Sequence, residues 1–307
     1  MTTGTSTSAV FEAWRDHRQW SHAANRLKKR IVRWRSTALA LAIAGAVLAT
    51  LATQVGLDNG VGQGLSVAAA VALAVVPIIR TVRLGRDRVE EWTRARSVSE
   101  GLKEEVYIYL TGAPPYDGIG RDAQFRKRTF SITEDAKDLV GHTIGCPTND
   151  KPLPTIDGAE SYLTDRVQPQ IDQYYSPSAA KQQRRLTLFR AVEFGLALLG
   201  ALLGAVAAAT KLDAVGAWVA VVTTVGAAIT AHIAAARYEH LLITYMSTAR
   251  QLRARVSQWR DSPDQGPQAA AQLVRDCEDI ISRENESWMA AWSRDQGGGT
   301  EPAPATP

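Results

Sequence analysis

Two cysteines, Cys146 and Cys277, and five histidines are all that this 307-residue chain offers as soft or imidazole ligands. No CxxC pair and no histidine cluster occurs, so the sequence supports neither a disulfide framework nor a zinc site, and both cysteines are expected as free thiols in a reducing compartment. A phosphate loop is missing as well: Gly62-Gln63-Gly64 has no strand before it and no lysine after it. The N-terminal region carries charges and tryptophans without an apolar core or a small-residue cleavage site, which argues against a cleaved secretory signal. Charge itself is absent from four long stretches, and that absence organises everything else.

What is present is unevenly spread. Hydrophobic residues make up 45% of the chain and the mean hydropathy is only -0.14, ordinary values that hide the clustering. From Ser36 to Leu57 no charge occurs, and as a helix this run would reach about 33 Å, enough for a hydrocarbon core of about 30 Å. The expected spans are 36–57, 61–79, 191–209 and 214–236. Each pair is separated by a short polar connection, Asp58 to Gly60 or Thr210 to Asp213, so each pair reads as a tight helical hairpin. The predicted fold class is all-α and integral to the membrane, with four spans and cytosolic helical extensions. Four buried helices of a soluble protein are the competing reading, but uncharged runs of this length are uncommon in soluble cores.

The net charge of +4 would suit nucleic acid, yet the basic residues lie beside the apolar runs and form no single basic face. No nucleic-acid partner is expected; membrane lipid is. Arg26, Lys28, Lys29, Arg30, Arg33 and Arg35 precede the first run, Arg80, Arg83, Arg86 and Arg88 follow the second, Lys181, Arg184, Arg185 and Arg190 precede the third, and Arg237 follows the fourth. The tips contribute Lys211 alone. By the positive-inside rule this places both termini in the cytosol of a multi-pass protein of the inner (cytoplasmic) membrane. The halves also align: Arg35 falls opposite Arg190, Gly45 opposite Gly200, Ala49 opposite Gly204 and Asp58 opposite Asp213, which makes a parallel repeat.

Outside the spans, Val89, Trp92, Val98, Leu102, Val106 and Leu110 recur at helical steps up to the stop at Pro114-Pro115. Glu100, Glu104 and Glu105 on that helix are expected to face solvent, as charge runs ordinarily do. Phe125 to Val140 gives no assignable period, and residues 121–157 are expected as an irregular cytosolic connector. A helix carrying Tyr162, Val167 and Ile171 on one side leads towards the third span, with Pro169 as a candidate kink. Leu273, Val274, Cys277, Ile280, Ile281, Trp288 and Trp292 predict a last amphipathic helix. Disorder is expected over 1–12 and 295–307.

Few residues inside the spans are polar. Glu193 is either a pore or ion-site carboxylate or an interfacial one paired with Arg190, and the spacing favours the pairing. His232 reads as a packed or interfacial histidine rather than a pH switch. Thr223 and Thr224, with Thr50, Thr53 and Thr230, would supply a sparse polar lining. Gly200 and Gly204 form a GxxxG motif suited to close helix packing. Trp14, Trp20, Trp34 and Trp92 suit interfacial anchoring or the helical core. No catalytic constellation, cofactor motif or metal site is evident.

Ser99-Glu100-Gly101-Leu102-Lys103-Glu104-Glu105, Tyr109-Leu110 and Pro114-Pro115-Tyr116, after a basic hairpin, resemble the SLATT family, the SMODS- and SLOG-associating two-transmembrane effectors. The second half is similar to a sister SLATT domain in Tyr162, Arg166-Val167, Pro169-Gln170-Ile171, Tyr174-Tyr175, Ser282-Arg283-Glu284 and Trp288. The resemblance implies tandem domains at 13–120 and 158–294, with Ser99, Glu100, Tyr116, Gln170, Glu284 and Trp288 as cytosolic motif residues. It also implies a non-enzymatic effector that perforates or depolarises membranes in bacterial conflict or antiviral systems. Such an effector is expected to form a homo-oligomer and to work with a nucleotide-signalling or sensor protein encoded nearby. The alternative is a scaffold that tethers a cytosolic partner and conducts nothing.

Overall fold

In the computed structural model, residues 3–148, 151–210 and 212–294 are described. The described residues are helical and contain no strand: α1 (Thr3–Val55), α2 (Gly60–Ile78), α3 (Arg86–Thr111), α4 (Arg121–Glu134), α5 (Ala159–Tyr162), α6 (Ser176–Thr210), α7 (Asp213–Ala236), α8 (Tyr238–Asp261) and α9 (Pro267–Arg294). Four helical stretches are long and apolar enough to cross a membrane. The chain divides into a membrane unit, residues 29–85 and 179–243, and a polar unit, residues 1–28, 86–178 and 244–307.

In the membrane unit the two hairpins turn where the sequence placed the tips. Gly56 takes a left-handed φ of 92° and ends α1, and the Asn59 side chain caps α2 by accepting from the Gly62 amide at 2.8 Å, as N-cap asparagines do. A Cβ on Gly62 would lie 2.0 Å from the Gly56 oxygen, so the turn requires glycine there. Pro77 cannot donate within α2, and the helix passes through a π turn at Ile79–Arg83 before it stops. The aligned glycines behave alike in position: a Cβ on Gly45 would meet Leu73 of the partner helix at 2.6 Å, and one on Gly200 would meet Val222 at 3.4 Å.

In the polar unit α3 is the axis. Val89, Trp92, Val98, Leu102 and Val106 are buried, as their period predicted, but so is Glu105. Helices α4, α5 and α9 pack on α3, and His17 of α1 bonds the Ser99 carbonyl at 2.7 Å, so little of this helix is left to water. The expectation of a solvated acidic face is therefore corrected: Glu105 accepts from the Tyr116 hydroxyl and pairs with Arg128 at 3.1 Å, Glu104 accepts from Ser282 at 2.8 Å, and Glu100 lies beside Lys103. Covered on several sides, α3 holds its carboxylates in place by pairing them.

Two further expectations are corrected. The segment 121–157 is not wholly irregular, since Arg121–Glu134 is α4 and Lys137–Thr143 is a 3-10 helix. Phe125 alone anchors α4 by full burial, and one apolar residue makes no readable period. Of the disorder expected over 1–12, residues 3–12 instead form the first turns of α1, in which Val10 is buried, and residues 1 and 2 lie outside the described residues. The tail 295–307 lies outside the described residues. Around Pro169 the helix leading to α6 is neither broken nor regular: π turns at Leu163–Val167 and Gln170–Tyr175 flank the proline and absorb its missing donor.

Candidate functional site

The polar unit holds a cavity of about 540 Å³ whose walls come from α1, α3, the 151–154 segment, the stretch around Pro169, and α9. At its floor sits an ion pair out of contact with water. Arg166 donates from Nε and Nη2 to the two Glu278 oxygens at 2.9 and 2.7 Å, both side chains being 1% exposed. Tyr162 donates to the same carboxylate at 2.8 Å, so Glu278 receives three hydrogen bonds and its charge is balanced where it is buried.

Around this pair the charges interlock. In the amide orientation that fits its neighbours, the Gln170 oxygen accepts from Lys103 Nζ at 2.9 Å and from Arg166 Nη1 at 2.7 Å, so one acceptor draws two cations together. Burial and then the Arg166 charge pull the Lys103 pKa down to about 8. Burial would raise the Glu100 pKa, but Lys103, Arg96 and Arg166 outweigh it and hold the carboxyl at about 2. Arg96 donates to the Tyr174 hydroxyl at 2.9 Å and lies 3.4 Å from Glu284. Rings back the cations: Arg166 sits over Tyr107, centroid at 4.9 Å, and Lys28 over Trp92 at 5.7 Å, distances at which a ring face attracts a cation. At the mouth, the Trp14 indole donates to the Lys151 carbonyl at 3.1 Å and fastens the 151–154 segment to α1.

Ser99 and His17 lie within hydrogen-bond reach, Oγ to Nδ1 at 3.1 Å, a pairing that in other settings activates a nucleophile. Here burial and the Lys103 charge push the His17 pKa down to about 3. A base that weak takes no proton from serine at neutral pH, so the pair is a buried tie between α1 and α3. Among the described residues no three His, Cys, Asp or Glu side chains are grouped as a metal site.

Of the motif residues singled out by sequence, Ser99, Glu100, Gln170 and Glu284 line this cavity. Tyr116 instead buttresses Glu105, and the Trp288 side chain lies outside the described residues. Arg166, Lys103, Arg96 and Glu278 were not singled out as site residues. Glu278 sits one position from Cys277 within an apolar stripe, which disguised it as a residue of the polar face.

The membrane-unit candidates do not converge. Glu193 accepts from the Thr230 hydroxyl of α7, and Arg190, its expected partner, pairs instead with Glu239 at 3.2 Å. The pairing expectation is thus corrected: Glu239 at the start of α8 lies within reach of Arg190. His232 bonds the Tyr238 hydroxyl at 3.2 Å and packs on Phe189, the packed role. Thr223 and Thr224 are exposed on the chain surface, and Thr223 donates to its own helix at Val219. Gly200 faces Val222, whereas nothing lies within 4 Å of a Cβ placed on Gly204.

Two family models match. Residues 162–288 match the SMODS and SLOG-associating 2TM effector domain 1, and residues 18–122 match the protein of unknown function DUF4231. No curated protein and no solved structure matches the chain. Both matches include one hairpin and much of the cavity wall, and on this evidence the chain carries SLATT-like domains in tandem, with residues 162–288 a SMODS and SLOG-associating two-transmembrane effector domain.

Proposed function

We propose that the protein is a membrane effector of a bacterial conflict or antiviral system, which acts by assembling copies of itself and permeabilising the inner membrane. Each SLATT-like half, 13–120 and 158–294, contributes one hairpin, and both termini lie in the cytosol. The observation that carries the reading is the lipid-length hairpin inside the residues matched by an effector domain.

Assembly is supported by how little of each span is covered within one chain. In the most apolar window of the third span none of the residues is buried, and in that of the second only 17% are. Phe194, Leu198, Leu202 and Val206 form an exposed stripe along α6 at four-residue steps, beside the open face of Gly204. Lipid alone can cover such a stripe, but a small residue next to it is what a close interhelical contact uses. Glu193, half-buried, and Thr230, exposed, are hydrogen-bonded to each other and give an assembled pore a polar group at one level of the bilayer.

The test is reconstitution of the purified chain in anionic liposomes loaded with a self-quenched dye, with chemical cross-linking in parallel. Oligomers together with dye release that weakens in Gly204→Leu support the reading. Monomers that release nothing at any protein-to-lipid ratio refute it and favour the non-conducting scaffold, for which the sparseness of polar residues in the spans speaks.

A further inference from the structure

The cavity has a composition that a structural core does not need. The space left between these helices is about 540 Å³ and open at its mouth, within the range of about 300–1,000 Å³ usual for small-molecule sites. Its walls are unusually rich in charge of one sign. Arg18, Lys28, Arg96, Lys103, Lys151 and Arg166 line it against three carboxylates, Glu100, Asp165 and Glu284. Counting Glu278, which holds Arg166 from outside the lining, still leaves the cations in excess.

Lys103 and Arg166 meet on one side-chain oxygen, and although Glu100 and Glu278 each lie beside one of them, like charges gathered on one wall repel. The cations of the wall that exceed the carboxylates favour an anion in the cavity. The second feature is flat rings: Trp14, Trp92, Tyr107, Tyr174 and Tyr175 contribute to the same walls. A simple inorganic anion would use the cations and leave the rings idle. An acidic peptide would require an open groove for its backbone. A phosphate ester that carries a planar base uses both, with guanidinium and ammonium groups on the phosphates and ring faces against the base.

We infer that the cavity framed by Lys103, Arg166, Lys28 and Arg18 is a binding site for a nucleotide, a ligand with at least two negative charges and one aromatic base. Arg166 is prepositioned by Glu278 and Gln170, and Lys28 and Arg18, about three turns apart on α1, line the same cavity and reach the ligand from that helix. The site concerns ligand recognition alone and stands whether or not the chain permeabilises membranes.

The test uses the full chain in detergent micelles, titrated calorimetrically with the four ribonucleoside triphosphates, with inorganic tripolyphosphate, and with adenosine. At least one nucleotide is expected to bind once per chain, tripolyphosphate more weakly, and adenosine not measurably. Arg18→Gln and Lys28→Gln, both on half-exposed positions that leave the buried pair intact, each weaken binding about tenfold, the usual worth of one charged hydrogen bond. Lys103→Gln abolishes it. Arg260→Gln, an exposed charge outside the cavity, leaves affinity unchanged. The inference is overturned if no nucleotide binds at millimolar concentration, if Arg260→Gln weakens binding as much as Lys28→Gln, or if tripolyphosphate binds as tightly as the nucleotides.

Discussion

Glu278 accepts from Arg166 twice and from Tyr162 once with no water in reach, and that arrangement makes it the most sensitive single residue in the polar unit. Removing one partner of a buried pair strands the other charge, which costs about 3–5 kcal/mol. Glu278→Gln is therefore expected to lower the unfolding free energy by about that amount, whereas the double change Arg166→Met with Glu278→Leu recovers at least half of the loss; denaturant titration in detergent measures both. Glu104 gives a pH signature. Burial first, and the nearby Glu278 charge second, raise its pKa from 4.5 to about 7. The folded protein then keeps a proton that the unfolded chain has released, so stability falls as pH rises from 4.5 to about 7 and is level beyond. At 1.36 kcal/mol per unit the loss reaches at most about 3 kcal/mol. Relative to the natural chain, Glu104→Gln should be equally stable at pH 4.5 and more stable at pH 8; the opposite order would show that Glu104 is held charged. None of this was readable from Glu100, Glu104 and Glu105 in sequence, because a charge run looks the same on a solvated helix and on one enclosed by three others.

At the scale of elements, the hairpins were legible because an uncharged run has few alternatives, and their tips because asparagine and glycine mark turns. Both observed connections fall within about two residues of the expected ones, the usual blur of helix ends. Helix α4 was not legible, since its one buried apolar residue is Phe125 and its place is set by α3. The π turns around Pro169 escaped for a similar reason: proline signals an irregularity without specifying its form. Within the hairpins the aligned glycines now differ in consequence. Gly45→Ala puts a methyl 2.6 Å from Leu73 Cγ, a clash that only a rotation of the whole Leu73 side chain can clear, and overpacking of that kind costs about 1–3 kcal/mol. Gly200→Ala meets Val222 at 3.4 Å and is expected to be near neutral. Melting of the two variants in one detergent should show Gly45→Ala clearly lower and Gly200→Ala close to the parent.

For the molecule as a whole, the most consequential expectation is orientation, because it decides which compartment the cavity faces. The sequence carries one signal for it, the bias of Arg and Lys towards the ends of the hairpins away from the tips, and that bias acts during insertion rather than in the finished fold. The two native thiols are both buried, so engineered cysteines can report accessibility against a low background. Asp58, at the first tip, and Gly118, in the loop between α3 and α4, are both exposed, and a Cβ on Gly118 meets nothing within 4 Å. With a membrane-impermeant maleimide applied to intact cells whose outer barrier has been opened, Asp58→Cys is expected to label at once and Gly118→Cys only after the inner membrane is permeabilised. Labelling in the reverse order would place the loop between α3 and α4 on the far side of the membrane from the cytosol and overturn the orientation read from the Arg and Lys bias.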